Sequence, residues 1–143
     1  VDHELIKIEK KAGGDINDKT IPMLKTAGVQ VIAGCANNQL AEARHGDMLH
    51  DAGILYAPDY VINAGGVIAL GIEYVWMQNA GTMTFPTSDA VMQRVSKIGD
   101  VMGEILARAA KEGKSPALVA DAMARERFVV DGKSNGASNK KAA

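Results

Sequence analysis

Tyr56-Ala57-Pro58-Asp59-Tyr60-Val61-Ile62-Asn63-Ala64-Gly65-Gly66 is the segment on which the reading of this chain turns. Tyr60, Val61 and Ile62 favour extended structure. Pro58 keeps a helix from running into them. A polar asparagine, a small alanine and two glycines follow, and then an apolar run from Val67 to Trp76 that is expected to be helical. The segment reads as a short buried strand that stops abruptly and opens a helix. Backbone can approach a ligand closely at such a place. Free N–H groups and the positive helix end lie there too. An ordinary strand-to-helix turn would need the same glycines for geometry alone.

Working outward, Val29 to Ala33 is a second strand candidate, rich in β-branched residues. It runs straight into Gly34-Cys35-Ala36-Asn37-Asn38. A helix is expected from about Leu40 to Asp51, stopped by Gly53. Ile54 to Tyr56 and Tyr60 to Ile62 then supply extended structure. The strand–helix–strand unit from Val29 to Ile62 has the size that a parallel crossover needs. Parallel strands put their carboxyl ends along one edge of the sheet, where open α/β folds bind ligands. Asn37, Asn38 and Asn63 should therefore share one polar rim, with Asn37 and Asn63 about 5–10 Å apart on adjacent or next-adjacent strands. A carboxamide offers a donor and an acceptor together. Such a rim suits another amide, as in nicotinamide, or the amine and carboxylate of an amino acid.

The flanks are helical. Asn17 or Asp18 should cap a helix to about Thr26, with Ile21, Met23 and Leu24 on its apolar side and Gly28 at its end. Gly81 to Ser88 reads as a loop. Thr87 or Ser88 should cap a long helix to about Glu112. Its apolar residues Val91, Val95, Ile98, Met102, Ile105 and Ala109 recur at three- and four-residue steps. Gly113 ends it, and Ser115-Pro116 starts a last helix to about Glu126. Residues 1–15 form an atypical N-terminal segment. Residues 129–143, poor in groups to bury, read as a disordered tail.

The 143 residues carry a net charge of -1, and 4% of them are aromatic. Neither nucleic acid nor an acidic membrane is expected as a partner. Cys35 is alone, which leaves no disulfide framework and suggests a reducing, cytoplasmic setting. It reads as a small buried residue rather than a nucleophile. His45 and His50, five apart on one helix, face different ways and make no metal pair; exposed or capping roles are expected. Asp47 and Asp51 read as solvated carboxylates. Met92 and Met102 read as core filling. No Gly-x-Gly-x-x-Gly, no phosphate loop and no Ser/His/Asp arrangement is present.

Several blocks resemble one family when taken in order. They are Ile16-Asn17-Asp18-Lys19-Thr20-Ile21-Pro22, Val31-Ile32-Ala33-Gly34-Cys35-Ala36-Asn37-Asn38-Gln39-Leu40, Arg44-His45-Gly46-Asp47-Met48-Leu49-His50 and Ile54 through Ile68. Together they resemble the glutamate/leucine/phenylalanine/valine dehydrogenases, most nearly the leucine enzymes. The likeness is continuous from about Ile16 to Glu73 and looser from Val91 to Arg127. It implies an α/β fold: part of a Rossmann-like, doubly wound parallel sheet, followed by C-terminal helices. Residues 16–128 would be the C-terminal part of an NAD-binding domain with its returning helices. The implied activity is the NAD-dependent oxidative deamination of an aliphatic or aromatic L-amino acid. Ala36, Asn37 and Asn63 are the implied cofactor contacts. Asn63, Leu70, Ile98 and Val101 are the implied substrate contacts. Leu70 stands where glutamate dehydrogenases carry a serine that helps bind the side-chain carboxylate.

The family's catalytic lysine and aspartate, its Gly-rich phosphate turn and its acidic ribose ligand would all precede Val1. No catalytic or metal-binding residue is therefore assigned, and the isolated chain is expected to be inactive. Val1 to Ala12 replaces the family's usual apolar strand with unrelated charged sequence, which suggests a truncated or frameshifted start. The stretch from Gln78 to Ser88 is longer than in leucine dehydrogenases. The full-length parent is expected to be a homo-oligomer. A non-catalytic interaction or regulatory module derived from the fold, and a non-functional fragment, stand as the alternatives.

Overall fold

The computed structural model describes residues 14–79, 82, 84 and 86–128. The expectations for residues 1–13 and for the tail at 129–143 lie outside the described residues. Helix α1 spans Thr20–Thr26, strand β1 Val31–Ile32, helix α2 Arg44–Asp51 and strand β2 Leu55–Tyr56. Helices α3 (Asp59–Ile62), α4 (Gly65–Gln78), α5 (Ser88–Glu112) and α6 (Pro116–Phe128) complete the order.

The expected parallel crossover is present. β1 and β2 pair in parallel, with Val31 opposite Leu55 and Ile32 opposite Tyr56. A further parallel bridge joins Ile16 to Leu40. That bridge explains why α2 starts at Arg44 rather than near Leu40. Ile16 N–H donates to the Gln39 carbonyl at 2.9 Å and Ala41 N–H to the Ile16 carbonyl at 2.9 Å, so this backbone is extended and already paired. The described architecture is thus mostly helical, around a small parallel sheet.

One expected element changes type. Tyr60 to Ile62 is not a strand; it lies in the short helix α3. β-propensity spans only about 1 kcal/mol and yields to context. Here the context is Asp59, whose buried carboxylate turns back toward β2 to accept the Tyr56 hydroxyl at 2.7 Å. Pro58 keeps an extended ψ of 123° at the N-cap, and its carbonyl accepts from Val61 N–H at 3.0 Å.

The capping signals hold. Asn17 Oδ1 accepts from the N–H groups of Lys19 and Thr20 at 3.0 and 3.2 Å. Thr87 Oγ1 accepts from Ala90 N–H at 3.3 Å, and Ser115 Oγ from Leu118 N–H at 3.2 Å. α5 ends on Gly113 at φ 63°, a left-handed conformation that costs glycine nothing.

Two cores follow from these elements. Ile16, Ile21, Leu24, Leu49, Ile54 and Tyr56 bury together around the sheet. Ile105, Ala109, Val119, Ala120 and Met123 bury between α5 and α6, with Val61 of α3 packed against them. Four side chains depart from expectation, the first being Met23, which is 62% exposed on α1 while Ile21 and Leu24 are buried. His45 is buried rather than exposed, though it does cap: Nδ1 accepts from Glu42 N–H at 2.9 Å. Its Nε2 points to Asp18 Oδ2 at 3.5 Å, and Asp18 is itself drawn down to about 2 by the Arg44 guanidinium. Cys35 is exposed, not buried, because it sits in the loop beyond β1. Met92 is exposed as well, while Met102 packs against the second core.

α2 meets α6 at a close approach. Asp47 accepts the Ser115 hydroxyl at 2.5 Å, and a Cβ on Gly46 would lie 3.0 Å from that of Ala117. Ala117 is borne on α6 and its Cβ cannot swing aside. Gly46→Val should therefore destabilise the chain by about 1–3 kcal/mol in urea unfolding, despite valine's better helix propensity. Gly71→Ala is the control, since nothing lies within 4 Å of a Cβ there. It should be neutral or stabilising by up to about 1 kcal/mol. Equal effects at the two positions would disprove the close approach.

Candidate functional site

The polar rim exists, reached by a different route from a third strand. β1 ends at Ile32 and leads into the 33–38 loop. β2 ends at Tyr56 and leads through α3 to Asn63, the residue that caps its end. Both loops leave the carboxyl edge of the parallel pair. Asn63 Nδ2 donates directly to Asn37 Oδ1, so the two carboxamides stand side by side. With that bond made, the Asn37 amide N–H groups and the Asn63 carbonyl oxygen remain to offer a guest: one donor side and one acceptor side.

Sequence reasoning missed what builds the rim. Gln39 Nε2 donates to the Ala36 carbonyl at 3.0 Å and to the Gly34 carbonyl at 3.1 Å, bracing the loop that carries Asn37. Asp59 accepts Asn38 N–H through Oδ2 at 2.6 Å and the Tyr56 hydroxyl through Oδ1 at 2.7 Å. Burial pushes the Tyr56 phenol well above its ordinary range, with the Asp59 hydrogen bond adding to this, so it stays a donor. The acid directly after Pro58 was the signal for this network in the sequence; its strand-like neighbours masked it.

Two open clefts adjoin at Ala64. One, of about 480 Å³, is lined by Asn37, Asn38, Asp59, Tyr60, Asn63 and Val67 besides Ala64. The other, of about 280 Å³, is lined by Val61, Ile68, Ile98 and Val101 with the stems of Arg94 and Lys97. Its exposed lining is almost wholly apolar. Ile98 and Val101 therefore fall together beside the rim. Leu70 does not line either cleft: it is 66% exposed on α4, and Ile68 is the α4 residue that faces the apolar one. Ala36 is exposed in the loop, its carbonyl held by Gln39.

A match to the Glutamate/Leucine/Phenylalanine/Valine dehydrogenase model covers residues 12–135. The chain belongs to this family. Among curated members, the leucine dehydrogenase of Bacillus cereus is 43% identical over 116 residues, which is 81% of this chain and 28% of that protein. The valine dehydrogenase of Streptomyces coelicolor is also 43% identical over 116 residues, covering 29% of its length. The crystal structure of L-tryptophan dehydrogenase from Nostoc punctiforme superposes with a TM-score of 0.69 at 35% identity, covering 82% of this chain and 32% of that one. The chain thus spans under a third of the length of the relatives it matches. As a dehydrogenase-family segment it carries the asparagine pair and the apolar cleft. No helix among its described residues is long and apolar enough to cross a membrane.

Proposed function

We propose that this chain is the nicotinamide-side part of the coenzyme domain of an NAD-dependent amino-acid dehydrogenase. The reaction is the reversible oxidative deamination of an aliphatic or aromatic L-amino acid to its 2-oxo acid and ammonia. The Asn63–Asn37 carboxamide pair, beside an apolar cleft at the carboxyl edge of parallel strands, carries this reading. On it, β1 and β2 are two strands of a larger doubly wound sheet, and the body that includes them is residues 16–128.

The donor set fits a nicotinamide carboxamide, since the Asn63–Asn37 bond leaves an amide N–H and an amide carbonyl of two residues that line one cleft. Bound there, NAD would supply the hydride acceptor. Asn37, with the Ala36 backbone, would fix the carboxamide. Asn63 would share it and orient the amino group of the substrate. Ile98 and Val101, joined by Val61 and Ile68, would take the substrate side chain, and Leu70 would lie outside this wall. A carboxylate buried against such a wall would cost several kcal/mol. Burying an aliphatic side chain there instead contributes about 1.5–3 kcal/mol.

The test is reconstitution. The matched 116 residues of the Bacillus cereus leucine dehydrogenase are replaced by those of this chain. The chimera should form NADH from NAD and leucine. The purified 143-residue chain should form none, because two asparagines orient but cannot take a proton near neutral pH. A folded chimera without turnover would refute the proposal. Turnover by the isolated chain would point to a base within it, and Lys97 beside the apolar cleft is the first to substitute.

A further inference from the structure

Among the described residues, Asp59 hydrogen-bonds to both Asn38 and Asn63, one in each loop of the carboxamide pair. Its side chain takes the N–H of Asn38, next to Asn37, at 2.6 Å. Its main-chain carbonyl takes the N–H of Asn63 at 2.9 Å. Asp59 is 7% exposed, and among the described residues the partners of its carboxylate are neutral donors: the Asn38 N–H and the Tyr56 hydroxyl. Hydrogen bonds to an ionised acceptor are roughly twice as strong as neutral ones. A buried carboxylate is costly to keep unless it is well hydrogen-bonded.

The bond to Asn38 also shapes the loop. Asn38 is the single non-glycine residue with positive φ among those described, at 55°. Asparagine tolerates that conformation better than most residues. Its carbonyl is held as well, accepting from Gly14 N–H at 2.8 Å. Residue 38 is thus pinned at both polar groups, and residue 36 is pinned by Gln39. The backbone of Asn37 lies between two fixed points, which holds the base from which its side chain meets Asn63.

We propose that Asp59 is a positioning residue that sets Asn37 and Asn63 side by side as one amide-recognising unit. It acts through the Asn38 backbone. The inference deepens the reading of this site as the nicotinamide end of a coenzyme pocket and rests on it for the identity of the guest.

The experiment uses the 143-residue chain, nuclear magnetic resonance and nicotinamide as the probe. In the wild type, the side-chain amide signals of Asn37 and Asn63 should be dispersed and should shift together on millimolar titration. Asn38 N–H should exchange slowly. In Asp59→Asn the bond to Asn38 N–H loses its charge assistance, even where the amide oxygen takes that N–H and the Tyr56 hydroxyl turns to accept from the new amide. The folded form should show fast exchange at Asn38, collapse of the two amide signals toward free-amide positions, and roughly tenfold weaker binding, as expected for loss of one charge-assisted bond. Tyr56→Phe keeps the Asn38 bond and should leave those signals and the affinity within about twofold, although it removes a buried bond of similar length. Asp59→Glu, one methylene longer, should displace the loop and weaken binding like Asp59→Asn, and it provides the reading if that variant does not fold. Unchanged Asn37 and Asn63 signals in the Asp59 variants would overturn the proposal. So would an equal effect from Tyr56→Phe, which would make the role merely structural. Dispersed, Asp59-dependent amide signals with no response to nicotinamide would instead remove the guest and leave the clamp standing.

Discussion

Leu49→Ala is expected to lower the unfolding free energy of the chain by about 2–5 kcal/mol. Leu49 is fully buried, at 0% exposure, at the centre of the core that Ile16, Ile21, Leu24, Ile54 and Tyr56 complete. It comes from α2, the crossover helix, and so presses that helix onto the sheet. Its truncation removes the transfer free energy of the lost methyl groups. A cavity also remains, because β2 on one side and α1 on the other are tethered by backbone bonds and collapse only in part. A domain of this size has roughly 5–15 kcal/mol to lose. The urea midpoint should therefore fall steeply, or the variant should be largely unfolded at 37 °C. Met48, its half-buried neighbour on the same helix, should cost clearly less as alanine. A loss under about 1 kcal/mol for Leu49→Ala would mean that the crossover core does not form as described.

Asn63→Ala in the reconstituted dehydrogenase should reduce kcat/KM by roughly 10–150-fold, the loss expected for a hydrogen bond to a charged or developing charge. The substitution removes the donor to Asn37 and the outward carbonyl together. Its main-chain N–H to Asp59 survives, so α3 should stay formed and the melting temperature should move by only a few degrees. Asn63→Asp is the sharper probe. It keeps the shape but faces the Asn37 carbonyl oxygen with a carboxylate, so Asn37 must turn round and spend its own donor on it. Either variant within threefold of the parental kcat/KM would remove Asn63 from the site.

Much of this could be read along the chain because the forces are local. Thr87, Ser115-Pro116 and Gly113 mark helix ends through bonds that close within four residues. The alternation of β-branched segments with a helical one between them was sufficient to expect a parallel crossover. Tyr60-Val61-Ile62 went the other way because nothing in those residues states that Asp59 will be recruited by Tyr56 and Asn38. His45 is a similar case: five-residue spacing says that it cannot pair with His50, and nothing about the burial that α2 acquires against α6 and β2. Cys35 and Met92 show the reverse, apolar residues left in solvent because a loop and one turn of a long helix carry them there.

The order of motifs, the helix caps and the family blocks from Ile16 to Ile68 were determined by the sequence itself, since each depends on neighbours a few residues away or on residue identity alone. Tertiary structure decided which asparagines meet and how. Asn37 and Asn63 are 26 residues apart, and their contact depends on a buried carboxylate between two loops. It also decided that Ile68, not Leu70, faces the apolar cleft, because the rotation of α4 is set by its packing on α5 beside Val95 and Ile98. A helix repeats its faces every three to four residues, so periodicity reveals a face but not the partner it turns toward.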